Sequence, residues 1–391
     1  MIPLFKVHMA RDVVDFVKPV LHSGYVGEGE KVKQFEHEIG RLIGNPNVAM
    51  VNSGTSAIVM ALRLAGVGRD DLVISTPMTC MATNEAILQF GAHIVWADIL
   101  QDGTVNPFSV EEKLHQFDTG FKHHVKAVMV VDWGGTPCML KEIKTAIGDR
   151  NIPIIEDACQ SIGSVYHNRL IGHAENGADY VCLSFQAIKY LTTADGGAVI
   201  VPPDKLKEAQ LLRWFGMDRT KSIAMRCEQD PPDWGYKFQS NDVAAAIGLA
   251  NLQYLPGLLR AVRRNARRYN HEFADIDGVA MADTFKTERQ SNYWLYTLLV
   301  DDVSDFTRYM TGRGIEVSKA HVRNDTKTIF ADYQTELPGV TFFDDRHICI
   351  PVGWWLSDSD VEEIVQAVRE YGHTRIHSEE VRDTRPAAVA H

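Results

Sequence analysis

The chain has 391 residues, with 45% hydrophobic and 23% charged residues and a formal net charge of −11. That length supports a large buried core and more than one domain, and the balance is that of an ordinary soluble globular protein. The acidic charge argues against a general nucleic-acid binder, and no run of eighteen apolar residues is present to span a membrane.

The opening MIPLFKVHMARDVV lacks the basic-then-apolar pattern of a signal peptide. Short apolar runs then alternate with amphipathic ones. VAMVNS (48–53), LVISTP (72–77), HIVWADI (93–99), AVMVVDW (127–133), PIIEDA (153–158), YVCLSF (180–185) and GAVIVP (197–202) are expected as buried strands. Helical patterns such as SAIVMALRLAG and MLKEIKTAIGD lie between them, so the fold class is α/β, with a mostly parallel seven-stranded sheet between helices. Ligands of such sheets bind at the carboxyl ends of the strands, which places NSGTSA, DWGG, EDACQ and SFQAIK on one rim. A long helix from about Asn241 to Phe273 leads to a smaller α+β C-terminal domain. There YWLYTLLV, IEVSKAHV and HICIPVG are expected as strands and SDSDVEEIVQAVREYG as a helix. The expected organisation is a large domain over 1–245, a connecting helix and small domain over 246–372, and a disordered tail over 373–391.

The six cysteines form no CxxC pair and several lie in apolar runs, which points to small buried thiols rather than a zinc site or disulfide framework. No metal is expected, and the cytoplasm is the natural compartment.

Three stretches carry chemistry. NSGTSA (52–57) sets hydroxyls and a glycine between a strand and a helix, and is as readily a plain N-cap as an anion cradle. EDACQ (156–160) ends a strand in two acids. Asp157 either closes the strand harmlessly or pairs with a protonated ring nitrogen, which needs an anionic partner in a dry site. In SFQAIKYLTTADGGAVIV (184–201), Lys189 stands five residues past Ser184 among Ile188, Tyr190 and Leu191. Most loop lysines are simply solvated. Partial desolvation here would lower the pKa of the amine and suit it to Schiff-base chemistry.

In order, NSGTSA, TPMTCMATNEAI, EDACQSIG, SFQAIKYLTTADGGAV, GYKFQSNDVAAAIGLANL and HICIPVG resemble the DegT/DnrJ/EryC1/StrS family of sugar aminotransferases, from residue 23 to near Tyr371. The resemblance implies the fold-type-I aminotransferase architecture and pyridoxal 5′-phosphate as cofactor, with pyridoxamine 5′-phosphate as its intermediate form. It implies that Lys189 holds the cofactor, Asp157 meets the pyridine nitrogen, and Gln160 reaches the ring hydroxyl. Gly54, Thr55, Ser56 and Ser184 form the phosphate cradle. Lys237 stands where the family has an asparagine that reaches the neighbouring subunit's phosphate, implying a homodimer with shared active sites; a lysine can meet a phosphate as a point charge.

Two departures stand out. Cys80 and Met81 occupy the segment that usually supplies the aromatic stacked on the cofactor, and Gln239 replaces a usual arginine. Trp133, Arg219, His321 and Arg323 are the candidate substrate contacts, each with an ordinary structural role as the alternative. The implied reaction carries the amino group of L-glutamate to a keto-sugar. A nucleotide-linked keto-deoxysugar is the first choice, for surface polysaccharide or secondary-metabolite synthesis, and a free keto-octulosonate sugar acid is the alternative. Lys189 argues against the family's dehydratases, which carry histidine there. Together with Asp157, Gln160 and Ser184 it argues against a non-catalytic sugar-binding homologue. A nicotinamide oxidoreductase lacks its fingerprint here, since no GxGxxG follows an early strand.

Overall fold

The structure is a computed structural model, and it describes residues 1–117, 124–226, 228–283 and 286–383. Helices α1 (Val13–Leu21) and α2 (Glu30–Ile43) precede the first strand. All seven strands expected in the first half form and join one sheet. They are β1 (Val48–Val51), β2 (Leu72–Ser75), β3 (His93–Trp96), β4 (Val125–Val131), β5 (Ile154–Asp157), β8 (Tyr180–Ser184) and β9 (Gly197–Ile200). Their order is β1-β9-β8-β5-β4-β2-β3. Neighbours pair in parallel except at β9, which is antiparallel to both β1 and β8. Every strand but β9 therefore ends on the same rim. Gly197 enters β9 there, where a Cβ would lie 2.4 Å from the Ser53 carbonyl oxygen, so only glycine fits the close approach.

Helices α3 (Gly54–Leu64), α4 (Met81–Leu88), α5 (Pro107–Phe117), α6 (Leu140–Ile147) and α7 (Leu206–Leu212) connect or flank these strands, and α8 (Ile223–Arg226) is one short turn. The expected helix 241–273 is two helices, α9 (Asp242–Leu252) and α10 (Leu255–Glu272). Pro256 has no amide hydrogen and falls in the first turn of α10, the one place in a helix where that hydrogen is not needed.

A second sheet, antiparallel, orders β10 (Val279–Met281), β12 (Tyr296–Val300) and β13 (His347–Ile350), with α11 (Val303–Gly312), α12 (Pro338–Arg346) and α13 (Asp358–Asp383) around it. IEVSKAHV, expected as a strand, makes only isolated bridges at Ile315 and Ser318. Its later residues turn away because Asn324 is bonded to the rim of the seven-stranded sheet through the Pro77 and Thr79 carbonyls and the Asn84 side chain. The last helix continues past Gly372 to Asp383, where a disordered tail was expected; residues 384–391 lie outside the described residues. A third sheet links the two halves: the hairpin β6 (Val165–Tyr166) and β7 (Arg169–Leu170) pairs with β11 (Arg289–Gln290). Residues 291–294 follow directly and run onto the rim.

Candidate active site

Strand β5 leads into the site. Its last two residues alternate across the sheet, as strand geometry requires. Glu156 is fully buried, and burial, then Asp132 and Asp157, push its carboxyl well above the usual range. Asp157 faces the rim. Its Oδ2 accepts from the Thr83 hydroxyl at 2.7 Å and its Oδ1 from the Cys159 amide at 3.1 Å. Thr83 lies in the first turn of α4, so that helix aims a hydroxyl at the strand end. Beneath them Asp132 accepts from Ser161 and from the Cys138 amide, and burial pushes its carboxyl up to about 6.

Lys189 sits in the loop between β8 and β9. Phe185 at the head of that loop is pinned by its amide to the Gly196 carbonyl and by its own carbonyl to Thr192 and Thr193. The lysine is half-buried, and its Nζ lies 3.4 Å from the ring centre of Trp294. Burial lowers its pKa from the usual 10.5 to about 8, against the opposing pull of Cys159, Asp157 and Cys80. A buried amine that is partly neutral at physiological pH is suited to Schiff-base formation.

At the other end of the site, α3 begins. Ser53 is its N-cap and accepts from the Ser56 amide at 3.0 Å. Gly54 follows, packed so closely that a Cβ would stand 2.8 Å from Ser184 Cβ and 3.0 Å from Cys159 Sγ. The first-turn amides of a helix have no partner within it and favour an anion. Thr55 and Ser184 complete this end.

These groups surround one cavity of about 410 Å³, lined by Ser53, Gly54, Thr55, Cys80, Thr83, Asp157, Gln160, Ser184, Lys189, Trp294 and His321 among others. Gln160 accepts from the Gly134 amide at 2.8 Å. The structure thus gathers Gly54, Thr55, Asp157, Gln160, Ser184 and Lys189 as expected. Ser56 is not on the cavity: its hydroxyl is given to Asn52 at 2.6 Å inside the cap, and Ser53 stands in its place. Lys237 is exposed and off the cavity, its Nζ 5.9 Å from the Phe215 ring.

Of the four expected substrate contacts, only His321 reaches the cavity. Burial, then Lys189 and His347, lower its pKa to about 4, and its buried Nε2 has no hydrogen-bond partner among the described residues. Trp133 is a core side chain, 2% exposed, packed edge-on against His321 and Phe343. Arg219 is taken by Glu28 and Tyr25 in a separate surface cavity. Arg323 is held bidentate by Asp325, with a further bond to Thr341.

Trp294 and Thr83 were not singled out in the sequence. Trp294 read as part of an apolar strand run, and Thr83 as one more residue of a helix. The only signal for Thr83 was its place beside Cys80 and Met81. Cys80 lines the cavity at the N-terminus of α4, whereas Met81 packs toward the core.

A mostly parallel sheet, with a desolvated lysine, a strand-end carboxylate and a helix N-terminus on one rim, defines a fold-type-I aminotransferase. Residues 8–369 match the profile of the DegT/DnrJ/EryC1/StrS aminotransferase family. The chain belongs to that family and is a sugar aminotransferase. The sugar aminotransferase CalS13 from Micromonospora echinospora is 35% identical and has a TM-score of 0.87, with 95% of this chain and 100% of that one covered. The spore coat polysaccharide biosynthesis protein SpsC from Bacillus subtilis (strain 168) is 28% identical over 380 residues, 93% of this chain and 95% of the relative. A UDP-4-amino-4,6-dideoxy-N-acetyl-beta-L-altrosamine transaminase from Campylobacter jejuni (serotype O:2) is 29% identical over 288 residues, 73% of each chain. No described helix is long and apolar enough to cross a membrane.

Proposed function

We propose that the enzyme uses pyridoxal 5′-phosphate to move the amino group of L-glutamate onto a nucleotide-linked keto-deoxysugar, as a cytoplasmic homodimer with shared active sites. The observation that carries this reading is the placement of the Lys189 amine and the Asp157 carboxylate on one cavity whose far end is the N-terminus of α3.

The residues present fit the cofactor. The N-terminal backbone of α3 at Gly54 and Thr55, the Thr55 hydroxyl and Ser184 suit its phosphate, and Gly54 leaves the backbone open where any side chain would crowd Ser184. Asp157, oriented by Thr83 and the Cys159 amide, supplies the anion that a protonated pyridine nitrogen requires. Gln160 has its oxygen occupied by Gly134, leaving its amide NH₂ for the ring hydroxyl. Lys237, directed away from this cavity, is assigned to the partner subunit's phosphate.

When bound, the cofactor supplies an electron sink at the reacting carbon and carries the amino group from donor to acceptor. Lys189 holds the resting cofactor through Nζ. Once released, the same Nζ takes the proton from the substrate carbon and returns it on the other side of the transfer, a task for which a pKa of about 8 is well placed. His321 is uncharged at neutral pH and offers Nε2 to a sugar hydroxyl. The naming of the Campylobacter relative for a UDP-linked sugar supports a nucleotide-linked acceptor.

The test is a spectral screen. Enzyme loaded with an amino group by glutamate is mixed in turn with nucleotide-linked and free keto-sugars, and the sugar that restores the starting absorbance is the acceptor. Restoration by a free sugar acid alone would overturn the acceptor assignment.

A further inference from the structure

Lys189 is held by its neighbours, and no ion pair to it is present among the described residues. Its Nζ lies over the face of Trp294, 3.4 Å from the ring centre, well inside the range of a cation–π contact. The residues on either side of the lysine are fixed to consecutive residues of the 293–294 segment. Trp294 Nε1 donates to the Ile188 carbonyl at 3.2 Å, and the Tyr190 hydroxyl donates to the Tyr293 carbonyl at 2.6 Å. The indole and the lysine backbone therefore form one clamped unit.

That unit is anchored in turn. The Trp294 amide donates to Asn292 Oδ1 at 2.9 Å, and Asn292 Nδ2 donates to the Gln160 and Ile162 carbonyls. Tyr293 takes a φ of 52°, a left-handed conformation unfavourable for a bulky residue. Trp294 itself is 6% exposed. An unfavourable backbone held in place by such bonds is a feature worth testing for function.

We propose that Trp294 is a positioning residue that receives the Lys189 amine on its indole face whenever the lysine is not joined to the cofactor; this rests on the cofactor reading above. The face suits the task because its attraction for an ammonium is moderate. A carboxylate at that distance would hold the proton too firmly for the amine to act as a base near neutrality. An aliphatic wall would leave the desolvated ammonium with less compensation. The other groups facing Lys189 are Asp157 from β5, Cys159 just after it, Cys80 at the start of α4, Asp195 before β9, and His321 from the small domain. Of these, His321 also stacks on the Trp294 ring, with centres 6.2 Å apart.

The experiment is competitive labelling of the full-length enzyme, stripped of cofactor, with acetic anhydride across pH 6 to 11 (about the titration range of a perturbed lysine). Mass spectrometry of the Lys189 peptide gives the ionisation midpoint of that amine. Trp294→Leu removes the π face and should lower the midpoint by about one unit, while Trp294→Phe, which keeps an aromatic face, should lower it less. The acid limb of the kcat profile should move the same way. An unchanged midpoint in Trp294→Leu would overturn the proposal. If that variant does not fold, Trp294→Phe decides alone, and an unchanged midpoint there has the same force. Wild-type enzyme that takes up no pyridoxal 5′-phosphate would sink the cofactor reading instead, and leaves the labelling result standing.

Discussion

Raising the pH from 7 to 9 should speed attachment of pyridoxal 5′-phosphate to Lys189 about tenfold, with little further gain above that. The perturbation acts on the neutral fraction of one amine. Burial brings Lys189 down from 10.5 to about 8, even though Cys159, Asp157 and Cys80 pull it upward. With that midpoint, about one tenth of the amine is neutral at pH 7 and about nine tenths at pH 9. An ordinary solvated lysine would gain about a hundredfold over the same interval and still be climbing at pH 10. Stopped-flow absorbance, mixing cofactor-free enzyme with pyridoxal 5′-phosphate across this range and using Lys189→Ala as the blank, separates the two. A hundredfold rise without a plateau would refute the desolvated lysine.

Asp157→Asn should keep the fold, by circular dichroism, and lose about 10²-fold in kcat, since a strong bond to a charged group is removed; near-normal turnover would contradict its role. Gly54→Ala should weaken cofactor binding in a spectral titration and lower stability by about 1–3 kcal/mol, because its Cβ would stand 2.8 Å from Ser184 Cβ. Asp132 bears on stability. With its carboxyl pushed up to about 6 by burial, the folded chain keeps a proton that an unfolded aspartate releases near about 3.9. Its contribution is therefore intact below about pH 4 and is lost as the pH rises to about 6, by about 3 kcal/mol at most. Asp132→Asn should flatten thermal stability over that window, and an unaltered slope would count against the buried acid.

The sheet was legible because each strand is a short apolar run closed by polar residues, and the rim followed from the parallel order. Lys189 and Asp157 were legible for the same reason, as chemical residues at strand ends. The hydroxyls of NSGTSA were legible as a group, but which serine caps the helix depends on register: Ser53 does so and Ser56 is used internally. The break between α9 and α10 was written in Pro256, which the apolar pattern on either side masked.

Arg219 and Arg323 looked available because their carboxylate partners act only in three dimensions. Glu28 is far away in the chain, and Asp325 closes on Arg323 only once the loop is turned. Trp294 was hidden inside YWLYTLLV. Its Tyr296–Val300 part is a buried strand of the second sheet, whereas Trp294 precedes that strand and turns to Lys189 on the rim of the first.

The central claim is that Lys189 carries the cofactor. Borohydride reduction of the enzyme with pyridoxal 5′-phosphate, followed by peptide mass spectrometry, tests it most directly. A single reduced adduct is expected on the peptide containing Lys189, absent from Lys189→Ala. An adduct on another lysine, or one that survives in Lys189→Ala, would contradict it.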